Sequence, residues 1–134
     1  MSSKNYLSIY AKSFNWAGFF LPKKTYKNCS YLYDFCRVVD NIADGEDEIE
    51  IKKIKFQKFV NDFKQKNFED PVIQNMWNII HEFNISLEII YDLFDGIESD
   101  IKQNVKIDTR KDLLIYCYRV AGTVGLMMAK ILKV

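Results

Sequence analysis

The sequence predicts an all-α chain, and three observations carry that prediction. Apolar residues recur at helical spacing almost throughout. Helix-start chemistry separates the periodic stretches, at Asp70-Pro71, Ser86 and Thr109. No internal repeat, low-complexity tract or Gly/Ser linker interrupts them. A short first helix is expected from Lys4 to Phe14. Leu21-Pro22 opens a long second helix, with proline at a tolerated first-turn position. That helix runs to Asp44, and Gly45-Glu46-Asp47 is the turn that follows. Ile49, Ile54, Phe56, Phe59, Val60 and Phe63 supply the apolar face of a third helix whose outer face is lysine-rich. Asp70-Pro71 begins a fourth, with Val72, Ile73, Met76, Trp77, Ile79 and Ile80 on its buried side. Ser86 is a suitable N-cap for a fifth helix through about Gln103. Thr109 caps the sixth, with Asp112 three residues on.

The sixth helix is read as one continuous element from Leu113 to Leu132, with two interior glycines, Gly122 and Gly125. Each costs a helix about 1 kcal/mol relative to alanine. Small residues there suit either close helix packing or a long apolar ligand against the backbone. The sequence stops at Val134 inside an apolar run with no capping Gly, Asn or Pro. The expectation is therefore a single portion of a larger helical domain, residues 1–134, cut after about six helices.

Composition bounds the function. A chain of 134 residues suits one domain or part of one. Apolar content of 49%, with ten Phe and eight Tyr, is enough to form a core. Nineteen basic against eighteen acidic side chains argues against nucleic acid as the main partner. No stretch reads as long and apolar enough to span a bilayer, since the run from Val120 to Val134 is short and carries Lys130. Met1 to Tyr6 lacks the apolar segment of a secretory signal. Cys29, Cys36 and Cys117 are odd in number and lack ligand spacing, so reduced, packed cysteines in a cytoplasmic protein are expected. His81 is the only histidine, which excludes a histidine-rich metal site.

The chemistry concentrates on the second helix. Tyr33, Arg37, Asp40 and Asp44 fall on one stripe, where a plain core helix would carry Leu or Ile. Like charges four residues apart cost a helix roughly 0.2–0.5 kcal/mol. Asp44 also sits at the negative end of the macrodipole. Two such penalties on one face suit a divalent cation, and magnesium is typically held by one or two carboxylates plus substrate phosphate oxygens. The alternative is a solvated turn, because Glu46, Asp47, Glu48 and Glu50 follow. Arg37 is then a simple partner of Asp40 three residues on. The chain prefers Lys to Arg, which favours a phosphate- or carboxylate-binding fork at Arg37. On the fifth helix, Asp92, Asp95 and Glu98 share a face that is either solvated or a second acidic wall.

Several ordered segments together resemble the squalene/phytoene synthase family. They are Ser13-Phe14 with Leu21-Pro22, the run from Tyr33 to Asp44, Asp95-Gly96-Ile97-Glu98-Ser99-Asp100, and Tyr116 to Gly125. The resemblance spans essentially the whole chain. It implies an isoprenoid-synthase-type helical bundle that condenses two prenyl diphosphates, farnesyl or geranylgeranyl, head to head. Such a reaction passes through a cyclopropylcarbinyl diphosphate to a product such as phytoene or squalene. By resemblance, Asp40 and Asp44 bind Mg2+ that grips a diphosphate. Tyr33 and Arg37 reach the diphosphate or the reacting carbon, and Tyr116 flanks that centre. Ser13 and Phe14 close the diphosphate end, Val120, Val124 and Gly125 line the prenyl tunnel, and Asp100 sits near its mouth. Very apolar products argue for peripheral membrane contact.

Departures from the family pattern are Asn41, where an acid often stands, and Ala11, where a serine often stands. The family's second aspartate-rich motif lies on a later helix, and Asp92, Asp95 and Asp100 are not in its place. The given residues are therefore expected to be incomplete for turnover. The competing reading is a non-catalytic relative that helps assemble respiratory complexes. Intact Tyr33, Arg37, Asp40, Asp44 and Tyr116 favour chemistry.

Overall fold

The computed structural model describes residues 21–102 and 109–133. The predicted first helix, with Ala11, Ser13 and Phe14, lies outside them. Among the described residues all regular structure is helical: α1 (Lys23–Asp44), α2 (Ile49–Lys64), α3 (Pro71–Phe83), α4 (Leu87–Ile101), α5 (Arg110–Cys117), a π-helical turn (Tyr118–Gly122) and α6 (Thr123–Leu132).

Local chemistry explains the boundaries. Pro22 stands just before α1, so its missing N–H falls where no helical partner exists. The Asp70 carboxylate accepts from the Val72 N–H at 2.9 Å, with Pro71 opening α3. Ser86 accepts from Glu88 at the head of α4. Thr109 and Asp112 form a reciprocal capping box on α5. Asn84 ends α3 in the left-handed region at φ 53°, a conformation that Asn tolerates better than most residues.

Helix α1 runs through the middle and packs against α2, α3, α4 and α6. Phe35 is fully buried on it, with the rings of Phe59, Phe63 and Phe94 centred 5.6, 5.5 and 5.9 Å away. Each such pair contributes about 0.5–1.5 kcal/mol beyond its buried area. Phe63 also stacks on Trp77 at 4.8 Å, and the Trp77 Nε1–H donates to the Phe63 carbonyl at 2.9 Å. The indole thus keeps its polar edge satisfied inside the core.

Three expectations change. Ile54 is not on the buried face of α2; it is 69% exposed. The apolar face there is set by Phe56, Phe59, Val60 and Phe63, and Ile54 falls off that stripe. The sixth predicted helix is not uniformly α-helical, because the turn from Tyr118 to Gly122 is π-helical. Finally, the continuous helix Arg110–Leu132 is long and apolar enough to cross a membrane by length and composition, although the linear reading found no such stretch. The apolar run from Val120 is the later part of a helix that starts ten residues earlier and gathers Leu113, Leu114 and Ile115. Only 22% of its most apolar window is buried, and Leu113, Leu114, Ile115, Leu126 and Leu132 are exposed.

Helix α4 lies against the π-helical turn. A Cβ on Gly96 would stand 2.9 Å from the Arg119 Cβ and 3.1 Å from the Val120 Cγ1. Glycine at 96 therefore permits the two backbones to approach as closely as they do.

Candidate functional site

The site is assembled from three helix ends. The last turns of α1 carry Asp40 and Asp44, the end of α4 carries Asp100, and α5 carries Tyr116. The Tyr116 hydroxyl donates to the Asp100 Oδ1 at 2.9 Å, a contact between residues 16 apart in sequence. The Asp44 charge acts on both Asp100 and Tyr116. The structure thus brings Asp44, Asp100 and Tyr116 into one electrostatic neighbourhood.

Burial grades the stripe on α1. Arg37 is exposed, Tyr33 and Asp44 are half-buried, and Asp40 is buried at 5% exposure. The plain solvated-turn reading does not fit Asp40, because carboxylates are almost never fully buried without compensation. Its charge is felt one turn earlier: the Cys36 thiol is pushed up to about 12, first by burial and then by Asp40. Asp100 is raised above the ordinary aspartate value by burial and also by Asp44, while the hydrogen bond from Tyr116 opposes the shift. Tyr116 is raised by burial, then by its hydrogen bond to Asp100 and the charges of Asp100 and Asp44. Its phenol is therefore protonated at neutral pH.

These residues fit a substrate-bridged magnesium better than an all-protein cage. Among the described residues no group of three or more His, Cys, Asp or Glu side chains is placed to hold a metal ion. Asp40 and Asp44 stand one turn apart on α1, and magnesium commonly completes a shell begun by one or two carboxylates with water and substrate phosphate.

Among the described residues, the expected tunnel residues lie along the π-helical turn and α6 at different depths. Val120 is half-buried against Gly96, and Val124 belongs to the core at 7% exposure. Gly125 is half-buried, with no described atom within 4 Å of a built Cβ. Two grooves of about 320 and 130 Å³ run between α2 and α4, lined in part by Ile54, Phe56, Tyr91 and Glu98. None of the expected site residues lines them. The acidic face of α4 is divided: Asp95 is exposed, Glu98 pairs with Lys102, and Asp92 accepts from the Tyr118 hydroxyl at 2.9 Å. Asp100, rather than that face, feels the charge of Asp44 at the end of α1. The Asp100–Tyr116 and Asp92–Tyr118 pairs were absent from the sequence reading. Both bonds join α4 to the short stretch from Tyr116 to Tyr118, beside the π-helical turn that packs on α4, and local sequence spacing does not mark them.

The family model described as Squalene/phytoene synthase matches residues 7–134. The chain is 32% identical over 127 residues to 4,4'-diapophytoene synthase of Staphylococcus haemolyticus, covering 92% of this chain and 44% of that protein. It is 27% identical over 128 residues to chloroplastic phytoene synthase of Daucus carota, covering 93% and 32%. It is 27% identical over 113 residues to presqualene diphosphate synthase of Rhodopseudomonas palustris, covering 83% and 40%. The chain thus spans less than half the length of these relatives. With a match across nearly all of its residues, the chain belongs to the squalene/phytoene synthase family.

Proposed function

We propose that the complete protein condenses two prenyl diphosphates, farnesyl or geranylgeranyl, head to head to a phytoene- or squalene-type product in isoprenoid or carotenoid biosynthesis. The observation that carries this reading is a buried Asp40 with Asp44 one turn on, beside Tyr116. That arrangement occurs in a chain whose relatives bear the names of such synthases. Asp40 and Asp44 would hold Mg2+ against the substrate diphosphate. Neutralising the leaving diphosphate is the chemistry that magnesium supplies when bound. Arg37, exposed on the same stripe, would give a planar fork to phosphate oxygens. Tyr33 flanks it one turn earlier. A neutral Tyr116 ring offers an aromatic face to a developing carbocation, worth about 0.5–2 kcal/mol. Val120, Val124 and Gly125 are assigned to the prenyl channel, and Ser13 and Phe14 to the diphosphate end. The same reading places the protein in the cytoplasm with peripheral membrane contact, since its products are very apolar.

The test is to incubate the complete protein with labelled C15 and C20 diphosphates and Mg2+, then identify the hydrocarbon or cyclopropylcarbinyl diphosphate formed. Wild type is expected to form one, and Asp40→Ala to lose at least two orders of magnitude in turnover, in line with removing a principal electrostatic element. Unchanged turnover in Asp40→Ala would reject the assignment. A wild-type protein that binds no diphosphate would instead favour the non-catalytic reading.

A further inference from the structure

We propose that Asp100 is a positioning residue: it fixes the Tyr116 side chain at the site and does not itself contact substrate or metal. This inference rests on the synthase reading above.

The geometry carries it. Tyr116 has one hydroxyl proton, and that proton is directed to the Asp100 Oδ1 at 2.9 Å. The bond ties α5 to the end of α4 across 16 residues, so it is tertiary and not a local helix contact. Two further features fix the relation of these elements. Gly96 lets the π-helical turn sit in close contact with α4. Tyr118 is tied to Asp92, eight residues before Asp100, or about 12 Å along the helix. With both ends of the interface held, the phenol has little freedom to turn.

The same bond sets what Tyr116 can offer. With its proton committed to a carboxylate, the oxygen and ring are more electron-rich and face the site as acceptor and π-surface. Burial and the neighbouring carboxylates keep the phenol protonated, so it is not a phenolate base. Asp100 is half-buried. Its Oδ1 is already engaged by tyrosine.

The test uses the complete protein with Asp100→Ala, Asp100→Asn, Tyr116→Phe and the Asp100→Ala/Tyr116→Phe pair, measured with farnesyl diphosphate and Mg2+. Asp100→Ala is expected to lower kcat by roughly 10- to 100-fold, the range for losing a hydrogen bond to a charged group. The double variant should be no worse than the weaker single one, because both remove the same interaction. KM and the Mg2+ half-saturation should stay within about twofold, and Asp100→Asn, which retains an acceptor oxygen, should keep most of kcat. A tenfold rise in KM or in the Mg2+ requirement, or additive losses, would overturn the proposal. Asp100→Ser replaces the alanine variant if that one does not fold. A wild type without product would reject the synthase reading alone. The pairing is then read by NMR of 13Cζ-tyrosine-labelled protein, assigned with Tyr116→Phe. The Tyr116 resonance must move in Asp100→Ala or Asp100→Ser; a stationary resonance contradicts the proposal.

Discussion

Substituting alanine at two helical glycines should have opposite effects, although both changes bring the same intrinsic benefit. Alanine is favoured over glycine in a helix interior by about 1 kcal/mol. At Gly125 a built Cβ meets no described atom within 4 Å, so that benefit stands without a steric charge against it. At Gly96 the Cβ would lie 2.9 Å from the Arg119 Cβ, 3.1 Å from the Val120 Cγ1 and 3.4 Å from the Arg119 carbonyl carbon. Carbon atoms prefer about 3.5–4.0 Å, so the contact with Arg119 must open by roughly 0.6–1.1 Å. The Arg119 Cβ is fixed to its backbone and cannot rotate away. Overpacking of this kind costs about 1–3 kcal/mol. Gly96→Ala should therefore be less stable than Gly125→Ala by about 1–3 kcal/mol. Each kcal/mol shifts the melting temperature by about 3–5 °C for a chain of this size. Chemical denaturation and thermal melts of the two variants measure the difference. Equal midpoints, or a more stable Gly96→Ala, would show that α4 and the π-helical turn are not in close contact.

Other perturbations have equally defined outcomes. Phe35→Ala removes a fully buried ring from among Phe59, Phe63 and Phe94, and should destabilise the fold by about 3–5 kcal/mol by urea titration. Mild alkylation of the native protein should label exposed Cys117, while buried Cys29 and Cys36, both with raised thiols, stay unlabelled until denaturation. Asp100 is raised above its ordinary 3.8. Its contribution to stability is therefore present below that value and lost as pH rises through the raised folded value. Asp100→Asn should gain on wild type over that interval and hold a constant difference at higher pH, as followed by denaturant midpoints.

Much of the framework was legible because it rests on local chemistry. Asp70, Ser86 and Thr109 cap helices by bonding to backbone two or three residues away, so sequence spacing alone reveals them. The core positions Phe56, Phe59, Val60 and Phe63 follow from helical periodicity. The misplacement of Ile54 shows its limit: an apolar residue near a stripe is not thereby on it. The π-helical turn left no mark, because an extra residue in one turn is decided by how α4 and Gly96 meet Arg119 and Val120. The membrane-length helix was missed because Arg119 divides the apolar letters without dividing the helix. At the site, the stripe Tyr33, Arg37, Asp40 and Asp44 was readable from α1 alone. Its grading from exposed Arg37 to buried Asp40 was not, since burial depends on the neighbours of α1. The Asp100–Tyr116 bond joins residues 16 apart and depends on tertiary packing, which no single segment encodes.

The central claim is that the carboxylates ending α1 hold a divalent ion against diphosphate. Titration of Mn2+, followed by electron paramagnetic resonance, into the complete protein with a non-hydrolysable prenyl diphosphate analogue tests it most directly. Manganese shares magnesium's preference for oxygen ligands in octahedral geometry. Wild type should bind the ion far more tightly with the analogue than without it, and Asp40→Ala and Asp44→Ala should each lose that enhancement while keeping the native melting profile. Enhancement that survives in both variants would contradict the account.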